Sequence, residues 1–225
     1  MFELEKIPGI GAIFYNAVAA KGFMGLYQRI AKEIVTEIKS GKVLDIGTGP
    51  GYLPIEIAKL NNQLEIIGVD LSHRMINIAH KNARIAKIDR VKFEVANAHD
   101  LPYQNNSFDF VFSTLSLHHW RDRIKVFNEC SRIVKNGGLV WIYDFRKDAT
   151  RKEIKKTIGV NGANFRHFYL SFSLRFHGLK TEEYFSKEMQ EAIEKNGFSV
   201  FKVEKKNAIV CIKLRKPSNA NRKFE

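Results

Sequence analysis

The stretch Val43-Leu-Asp-Ile-Gly-Thr-Gly-Pro-Gly-Tyr52 decides the fold class of this 225-residue chain. A short apolar strand runs into three glycines at alternate positions, Gly47, Gly49 and Gly51, and an amphipathic helix follows at once. Glycine suits such a turn because it adopts left-handed backbone angles and lets a ligand approach the main chain closely. In a doubly wound α/β sheet, this first strand-to-helix turn lies where ligands bind.

Strand and helix patterns alternate on both sides of this turn. We predict helices near 14–20 and over 24–38, 52–60, 72–86, 121–134 and 181–195. We predict strands over 43–46, 64–69, 91–95, 108–113, 139–143, 198–203 and 208–214. Such alternation indicates a parallel sheet covered on both faces. Only four residues separate the last two strands, too few for a crossover, so the last strand must be antiparallel. The predicted fold is α/β, a Rossmann-like three-layer α/β/α sandwich with a seven-stranded, mostly parallel sheet.

Composition narrows the class of protein. With 44% hydrophobic and 12% aromatic residues, the chain is neither disordered nor fibrous. No apolar run approaches the roughly 18 residues of a membrane span, and the N-terminus lacks the layout of a signal peptide. Cys130 and Cys211 are too few for a disulfide framework or a zinc knuckle, and no metal-ligand spacing is visible. We therefore expect a soluble, cytoplasmic protein without a metal or a transmembrane segment.

The net charge of +13 is unevenly distributed. Residues 1–144 hold 18 basic and 15 acidic residues, whereas residues 145–225 hold 19 basic and 9 acidic ones. A basic excess confined to one part of a chain suggests an anionic partner such as nucleic acid, acidic lipid or a charged substrate. The alternative is a lysine-rich surface that is simply solvated.

Polar groups follow three of the predicted strands. Asp45 lies two residues before Gly47 and suits a ligand with an ammonium group, whereas beside a pyrophosphate its charge would be unfavourable. Asp70 ends the second strand, where a carboxylate can accept ribose hydroxyls in bonds worth about 1.5–3 kcal/mol each. The loop 96–102 can read an adenine edge. A nicotinamide fingerprint would also need its third glycine at Tyr52. The alternative to a ligand site is that the glycines form an ordinary tight turn and that Asp45 and Asp70 only cap neighbouring backbone groups.

Taken in order and spacing, the motifs resemble those of class I S-adenosylmethionine-dependent methyltransferases. The matching segments are Val43–Tyr52, Ile67–Met75, Ala98–Pro102 with Ser107–Val111, and Arg132–Gly138. The nearest similarity is to the broad subgroup that acts mostly on small molecules and includes the ubiquinone/menaquinone-biosynthesis methyltransferases. The resemblance is strong over about residues 25–145. It is highly specific for the cofactor and hardly specific for the substrate.

The resemblance implies a role for each matching residue. Asp45 and the backbone of 47–51 would hold the methionine end of the cofactor, and Asp70 its ribose hydroxyls. Leu71 and Met75 would lie against the adenine. The full predicted set is Tyr27, Asp45, Gly47, Thr48, Gly49, Gly51, Asp70, Leu71, Met75, Asn97, Ala98, His99 and Ser113.

Asn97 departs from the family's pattern, and Tyr27 also fits a position in the core. Asn97, with Ala98 and His99, would meet the adenine edge, but the family often has Asp at the position of Asn97, so the bond to the adenine amino group would rest on an amide oxygen. Tyr27 resembles a lid tyrosine that lies near the cofactor in relatives, and it fits a core position equally well.

Three domain boundaries follow from these patterns. We expect an N-terminal helical lid over 1–41, a class I methyltransferase domain over 42–215, and a disordered tail over 216–225. Within the domain, 145–196 would form an acceptor-side insertion and helix, irregular as far as about residue 180, with an aromatic and basic stretch over 164–177. We expect Ser72 to cap the helix over 72–86 and Thr181 to cap the helix over 181–195. We expect the helix over 121–134 to be closed by 136–138.

The loop after the fourth strand carries the candidates for catalysis. His118 and His119 have the chemistry of a general base and lie near the expected methyl group, or else they pack there as a wall of the cofactor site. The favoured function is methyl transfer from S-adenosylmethionine to a small, aromatic or anionic acceptor. An RNA methyltransferase, with nucleic acid as partner, and a non-catalytic S-adenosylmethionine-binding protein remain alternatives, followed by a nicotinamide oxidoreductase. The sequence assigns no oligomeric state.

Overall fold

A computed structural model describes residues 23–158 and 178–218. Seven strands form one sheet in the order β3-β2-β1-β4-β5-β7-β6. The strands are β1 (Gly41–Ile46), β2 (Leu64–Asp70), β3 (Val91–Val95), β4 (Phe108–Thr114), β5 (Val134–Phe145), β6 (Ser199–Lys206) and β7 (Ile209–Arg215). The pairs among β1 to β5 are parallel, and β7 runs antiparallel to both β5 and β6. The predicted mostly parallel sheet is confirmed.

Helices cover both faces of this sheet. They are α1 (Met24–Glu37), α2 (Tyr52–Leu60), α3 (His73–Ile85), α4 (Arg123–Ile133), α5 (Arg151–Ile158), α6 (Thr181–Tyr184) and α7 (Lys187–Lys195), with a 3-10 turn over Leu117–His119. The core on one face joins α1, α2, α3 and α5 to the sheet, and the core on the other joins α4, α6 and α7. Because each face buries its own apolar side chains, the result is the predicted three-layer sandwich.

The local sequence explains where several helices begin. Ser72 precedes α3, and its hydroxyl accepts the N–H of Met75, as expected of an N-cap. Asp122 does the same for α4 by accepting the N–H of Lys125 at 2.9 Å. In α1 the residues Leu26, Ile30 and Ile34 are buried on one face, as their four-residue spacing in the sequence predicts for a helix.

The segment after α4 differs from the prediction. The helix ends at Ile133, and residues 136–138 do not close it but belong to β5. The pairing of β5 with β4 shifts between Phe108 and Phe110, so these residues form an irregular start to the strand. Lys216 fixes them there, since its carbonyl accepts the N–H of Gly137 and its N–H donates to the carbonyl of Gly138. A partner about 80 residues away along the chain cannot be predicted from a local sequence pattern.

The region after β5 departs from the prediction in two ways. The predicted irregular stretch contains α5, whose Ile154 and Ile158 face the core. The single helix predicted over 181–195 is two helices, α6 and α7, and Ser186 caps the second by accepting the N–H of Met189 at 3.2 Å. Thr181 is not a cap. Its hydroxyl is instead engaged by Arg146 and Asp148.

The predicted tail begins with an ordered residue. The Lys216 ammonium donates to the carbonyls of Ser131 and Val134 and to Asn106, so the expected disorder is wrong for this residue. The remainder of that tail from residue 219, the helical stretch expected near residues 14–20 and the aromatic and basic stretch 164–177 lie outside the described residues.

Candidate functional site

The carboxyl edge of the sheet brings the ends of β1, β2, β4 and β5 together. Asp45 lies opposite Gly68 of β2 on one side and Phe112 of β4 on the other, and Thr114 at the end of β4 lies opposite Tyr143 of β5. Because the strands are parallel, the loops that follow them meet at one edge. The predicted site residues of three separate loops therefore lie on the same side of the molecule.

The glycine turn after β1 has left-handed backbone angles at all three glycines. The φ values are 75° at Gly47, 52° at Gly49 and 76° at Gly51. A β-carbon at Gly51 would lie 2.7 Å from the Phe93 ring, and one at Gly47 would lie 2.7 Å from the Ser116 β-carbon. At Gly49 nothing described lies within 4 Å of that position. Gly47 and Gly51 are thus required by packing, whereas Gly49 faces open space that a ligand can use.

Asp45 is a buried carboxyl group without a normal hydrogen bond at one of its oxygens. Its exposed fraction is 2%, and among the described residues Oδ1 has no hydrogen-bond partner, nor has the hydroxyl of the buried Thr48. Burial raises the pKa of Asp45 to about 7; the nearby Thr48 hydroxyl opposes this rise and the charge of Asp70 adds to it. An unsatisfied buried carboxyl is costly in itself, so the site is suited to a cationic partner.

Asp70 connects the end of β2 to the glycine turn. Its Oδ2 accepts the N–H of Gly49 and its Oδ1 accepts the N–H of Ser72, both at 2.9 Å. Burial raises the pKa of Asp70, and these two backbone bonds oppose the rise. Each carboxylate oxygen can accept more than one hydrogen bond, so both retain acceptor capacity for a ligand hydroxyl. The bond to Gly49 was not predicted.

The residues expected around adenine occupy the neighbouring loops. Met75 is buried in the first turn of α3, and Leu71 is half-buried beside Asp70. Asn97 is exposed, and its Oδ1 lies 3.0 Å from both the backbone nitrogen and the Nδ1 of His99. The Asn97 amide oxygen therefore stabilises its own loop. The sequence predicted only a hydrogen bond from this oxygen to adenine. Ala98, between them, is half-buried.

Tyr27 lies against the glycine turn. Its ring is buried and stacks on Tyr52, with 6.2 Å between ring centroids and an interplanar angle of 23°. Tyr52 begins α2 directly after Gly51. The contact brings α1 to the predicted site, while the burial of Tyr27 also gives it a packing role.

The loop after β4 brings the two histidines to this edge, and His118 pairs there with an acid. His118 Nδ1 lies 2.7 Å from Oδ1 of Asp144, the penultimate residue of β5, and the His118 N–H donates to Oδ2 at 2.9 Å. The His119 ring lies 4.0 Å from that of His118. Ser113 is buried and donates to the carbonyl of Ile46, so its hydroxyl links β4 to β1.

Asp144 is the site residue that the sequence prediction missed. It is fully buried at 0% exposure, and Oδ1 also accepts the N–H of Phe145. A signal was present, because Asp144 directly follows the apolar strand predicted over 139–143, at the ligand-binding edge, where a buried acid is uncommon. Among the described residues, no group of three His, Cys, Asp or Glu side chains could hold a metal ion.

Comparison with known proteins agrees with this geometry. A family model described as a methyltransferase domain matches residues 38–197. The chain belongs to this methyltransferase family. A Methanococcus maripaludis structure assigned as an S-adenosyl-L-methionine-dependent methyltransferase superposes on this methyltransferase with a TM-score of 0.77, at 26% identity and 95% coverage of both chains. The predicted family and the Rossmann-like fold are confirmed.

Two curated relatives of this methyltransferase are named for different acceptors. The demethylmenaquinone methyltransferase of Thermotoga maritima is 29% identical over 61% of this chain and 58% of its own length. The 27-O-demethylrifamycin SV methyltransferase of Amycolatopsis mediterranei is 38% identical over 46% of this chain and 38% of its own length. The chain thus spans about half the length of these relatives. Within residues 23–158 and 178–218, no helix is long and apolar enough to cross a membrane.

Proposed function

We propose that this protein transfers a methyl group from S-adenosylmethionine to a small-molecule acceptor. The observation that carries the proposal is Asp45, a buried carboxyl group with an oxygen unpartnered among the described residues, beside the open position of Gly49. A ligand that combines an ammonium group with a ribose fits this pair of features, because Asp70 retains acceptor capacity next to it. A pyrophosphate ligand would bring negative charge to Asp45, so a dinucleotide fits poorly.

The residues at the carboxyl edge fit the cofactor along its length. Asp45 and the turn over 47–51 would hold the methionine end, and Asp70 the ribose hydroxyls. Buried Met75 and half-buried Leu71 would pack against adenine. The remaining proposed contacts to the cofactor or to the walls of its site are Tyr27, Thr48, Asn97, Ala98, His99 and Ser113.

When bound, S-adenosylmethionine supplies an electrophilic methyl group on a sulfonium. The protein's task is then to orient the acceptor and to exclude water, and orientation alone can contribute about 7–11 kcal/mol. The loop after β4 and the region after β5 border the same edge of the sheet, which supports a role for 145–196 on the acceptor side. The names of the two curated relatives support a small organic acceptor.

Titration calorimetry tests the cofactor assignment. S-adenosylmethionine should bind the wild-type protein, and Asp70→Ala should weaken binding at least about tenfold, the equivalent of one charge-assisted hydrogen bond. Asp109→Ala is the matched control, because Asp109 accepts the Lys42 N–H at the opposite edge of the sheet and should leave the affinity unchanged. Equal affinity in the Asp70 variant, or tight NADH binding instead, would contradict the assignment.

Transfer of a labelled methyl group into fractionated cell extract tests the acceptor class. We expect the label in the small-molecule fraction. Label in RNA, together with RNA binding that weakens steeply with salt, would establish the RNA methyltransferase alternative instead. No transfer into any fraction by a protein that binds the cofactor would establish the non-catalytic alternative.

We also propose that the protein works in a reducing compartment such as the cytoplasm. Cys130 and Cys211 are both free thiols buried in the core. Burial raises the pKa of each thiol to about 12, so neither is suited to thiolate chemistry. This supports a structural role for both cysteines.

A further inference from the structure

The contact between His118 and Asp144 is unusual in its burial. The Asp144 carboxylate is entirely buried, and the His118 side chain is 9% exposed. Asp144 is contacted by the His118 Nδ1, the His118 N–H and the Phe145 N–H. The Tyr184 hydroxyl of α6 also interacts with its carboxylate. Both the ring and the backbone of His118 are therefore fixed relative to the end of β5.

These contacts determine which ring nitrogen carries the proton. At neutral pH a carboxylate accepts hydrogen bonds and does not donate them, so the Nδ1 facing Asp144 must be the protonated nitrogen. The basic nitrogen of the neutral ring is then Nε2. A carboxylate that fixes the tautomer of a histidine in this way is the usual partner of a histidine that moves protons.

The position of this pair relative to the glycine turn is also fixed. Ser116, two residues before His118, packs so closely on Gly47 that a β-carbon there would overlap it. The Ser116 hydroxyl also accepts the indole N–H of Trp120 at 3.2 Å, which closes the short loop around the 3-10 turn. His118 thus belongs to a loop that touches the proposed cofactor turn, on the side of β4 and β5.

We propose that Asp144 is a positioning residue that makes His118 Nε2 the proton acceptor of the methyl-transfer step. This inference rests on the proposed function and deepens it by defining the acceptor's chemistry. As the acceptor atom bonds to the methyl carbon and the carbon–sulfur bond breaks, the proton on that atom passes to Nε2. The sulfonium charge is lost, and the imidazolium beside Asp144 carries one positive charge instead. The acceptor is accordingly a molecule whose nucleophilic atom bears a proton that must leave, such as a phenolic or enolic hydroxyl.

The tautomer can be measured without an acceptor. In nitrogen-15 spectra of the cofactor-free protein, the neutral form of His118 should carry its proton on Nδ1, with Nε2 as the unprotonated nitrogen. Asp144→Asn should abolish this preference, because an amide presents an N–H group to the ring or to the His118 N–H. An Nε2-protonated ring in the wild type, or a ring that stays doubly protonated through pH 9, would overturn the proposal.

The transfer assay tests the role itself. With labelled cofactor and the small-molecule fraction of an extract, His118→Gln and Asp144→Asn should each slow transfer at least about 100-fold, the lower limit for losing a general base. Affinity for S-adenosylhomocysteine should stay within about twofold in both. Asp109→Asn, at the opposite edge of the sheet, is the control and should retain transfer. If Asp144→Asn fails to fold, His118→Gln still decides the outcome.

The two proposals fail in different ways. Transfer retained by His118→Gln overturns the proton-acceptor role and leaves the proposed function intact. A wild-type protein that binds no S-adenosylmethionine, or binds it and transfers nothing to any fraction, overturns both.

Discussion

Asp45 is the residue at which stability and binding oppose each other. A carboxyl that is 2% exposed and lacks a partner at Oδ1 destabilises the cofactor-free fold, because burial disfavours its charged form. The same property makes it a strong partner for a bound cation, since the desolvation is already present before the ligand arrives. The burial of the Asp45 carboxyl group is therefore explained by ligand binding and not by the stability of the fold.

Asp45→Asn should therefore raise the stability of the cofactor-free protein at pH 8. The folded-state pKa of about 7 exceeds the value of 3.8 for an exposed carboxyl, so the folded protein holds its proton more tightly than the unfolded chain. Wild-type stability should consequently fall as pH rises from about 4 to about 7. At pH 8 the variant should be more stable by up to about 4 kcal/mol, since one pKa unit corresponds to about 1.4 kcal/mol.

Urea unfolding of the wild type and of Asp45→Asn at pH 5 and pH 8 measures this difference in stability. The affinity of Asp45→Asn for the cofactor should be at least about tenfold lower, as expected from losing a charged hydrogen-bond partner. Asp109→Asn is the contrasting control. Lys135 and the Lys42 N–H lower the pKa of Asp109 despite its partial burial, so its removal should cost stability at pH 8. A pH-independent effect of Asp45→Asn would contradict the assigned pKa.

At the scale of an element, the glycine turn combines two different requirements. Gly51 is needed because Phe93 of β3 occupies the space of a β-carbon, which is a packing requirement. Gly49 meets nothing within 4 Å, yet its φ of 52° and its N–H bond to Asp70 shape the site. The turn is thus held by the fold on one side and open to a ligand on the other.

Alanine substitutions should separate these two requirements. Gly49→Ala should cost about 1–2 kcal/mol from its left-handed backbone and should strongly weaken cofactor binding. Gly51→Ala adds an overlap with the Phe93 ring at 2.7 Å and should cost clearly more stability. Thermal unfolding and S-adenosylhomocysteine titration measure both effects. Equal stability losses in the two variants would show that the contact with Phe93 relaxes.

At the scale of the whole molecule, part of the basic excess takes part in contacts that stabilise the fold. Lys206 and Lys213 both contact Glu33 of α1, at 2.9 and 2.8 Å, and the Lys213 ammonium lies 3.6 Å from the centroid of the Trp141 ring. Four exposed cations remain on the solvent face of α5, with no ion pair to any described residue, at Arg151, Lys152, Lys155 and Lys156. The charge asymmetry therefore has a structural part and a solvated part.

Arg146 joins four parts of the fold and should contribute strongly to stability. Its side chain, 3% exposed, donates to Glu153 of α5, Thr181 of α6 and the Asn207 carbonyl between β6 and β7. Arg146→Met should lower the free energy of unfolding by roughly 2–4 kcal/mol, because buried acceptors lose a charged donor. The neighbouring Lys147→Met removes only an exposed pair with Glu183 and should cost less than about 1 kcal/mol in the same urea titration.

The sequence by itself determined the fold class, the family and the position of the glycine turn. Strand and helix periodicity, Ser72 as a cap and the spacing of Gly47, Gly49 and Gly51 are local, so they can be read without knowing what packs against them. The bounds predicted for α2 and β3 agree with the structure for the same reason. The proposed roles of Asp45 and Asp70 also began as inferences from their places on strand ends.

Only the tertiary structure decided the features that depend on contacts distant in sequence. Lys216 draws 136–138 into β5, Arg146 takes the hydroxyl of Thr181, and Asp144 orients the ring of His118. In each case the decisive partner lies between about 26 and 80 residues away along the chain, and hydrogen bonds between such distant segments cannot be predicted from a local pattern. Local chemistry thus placed the site, and long-range hydrogen bonding assigned its geometry.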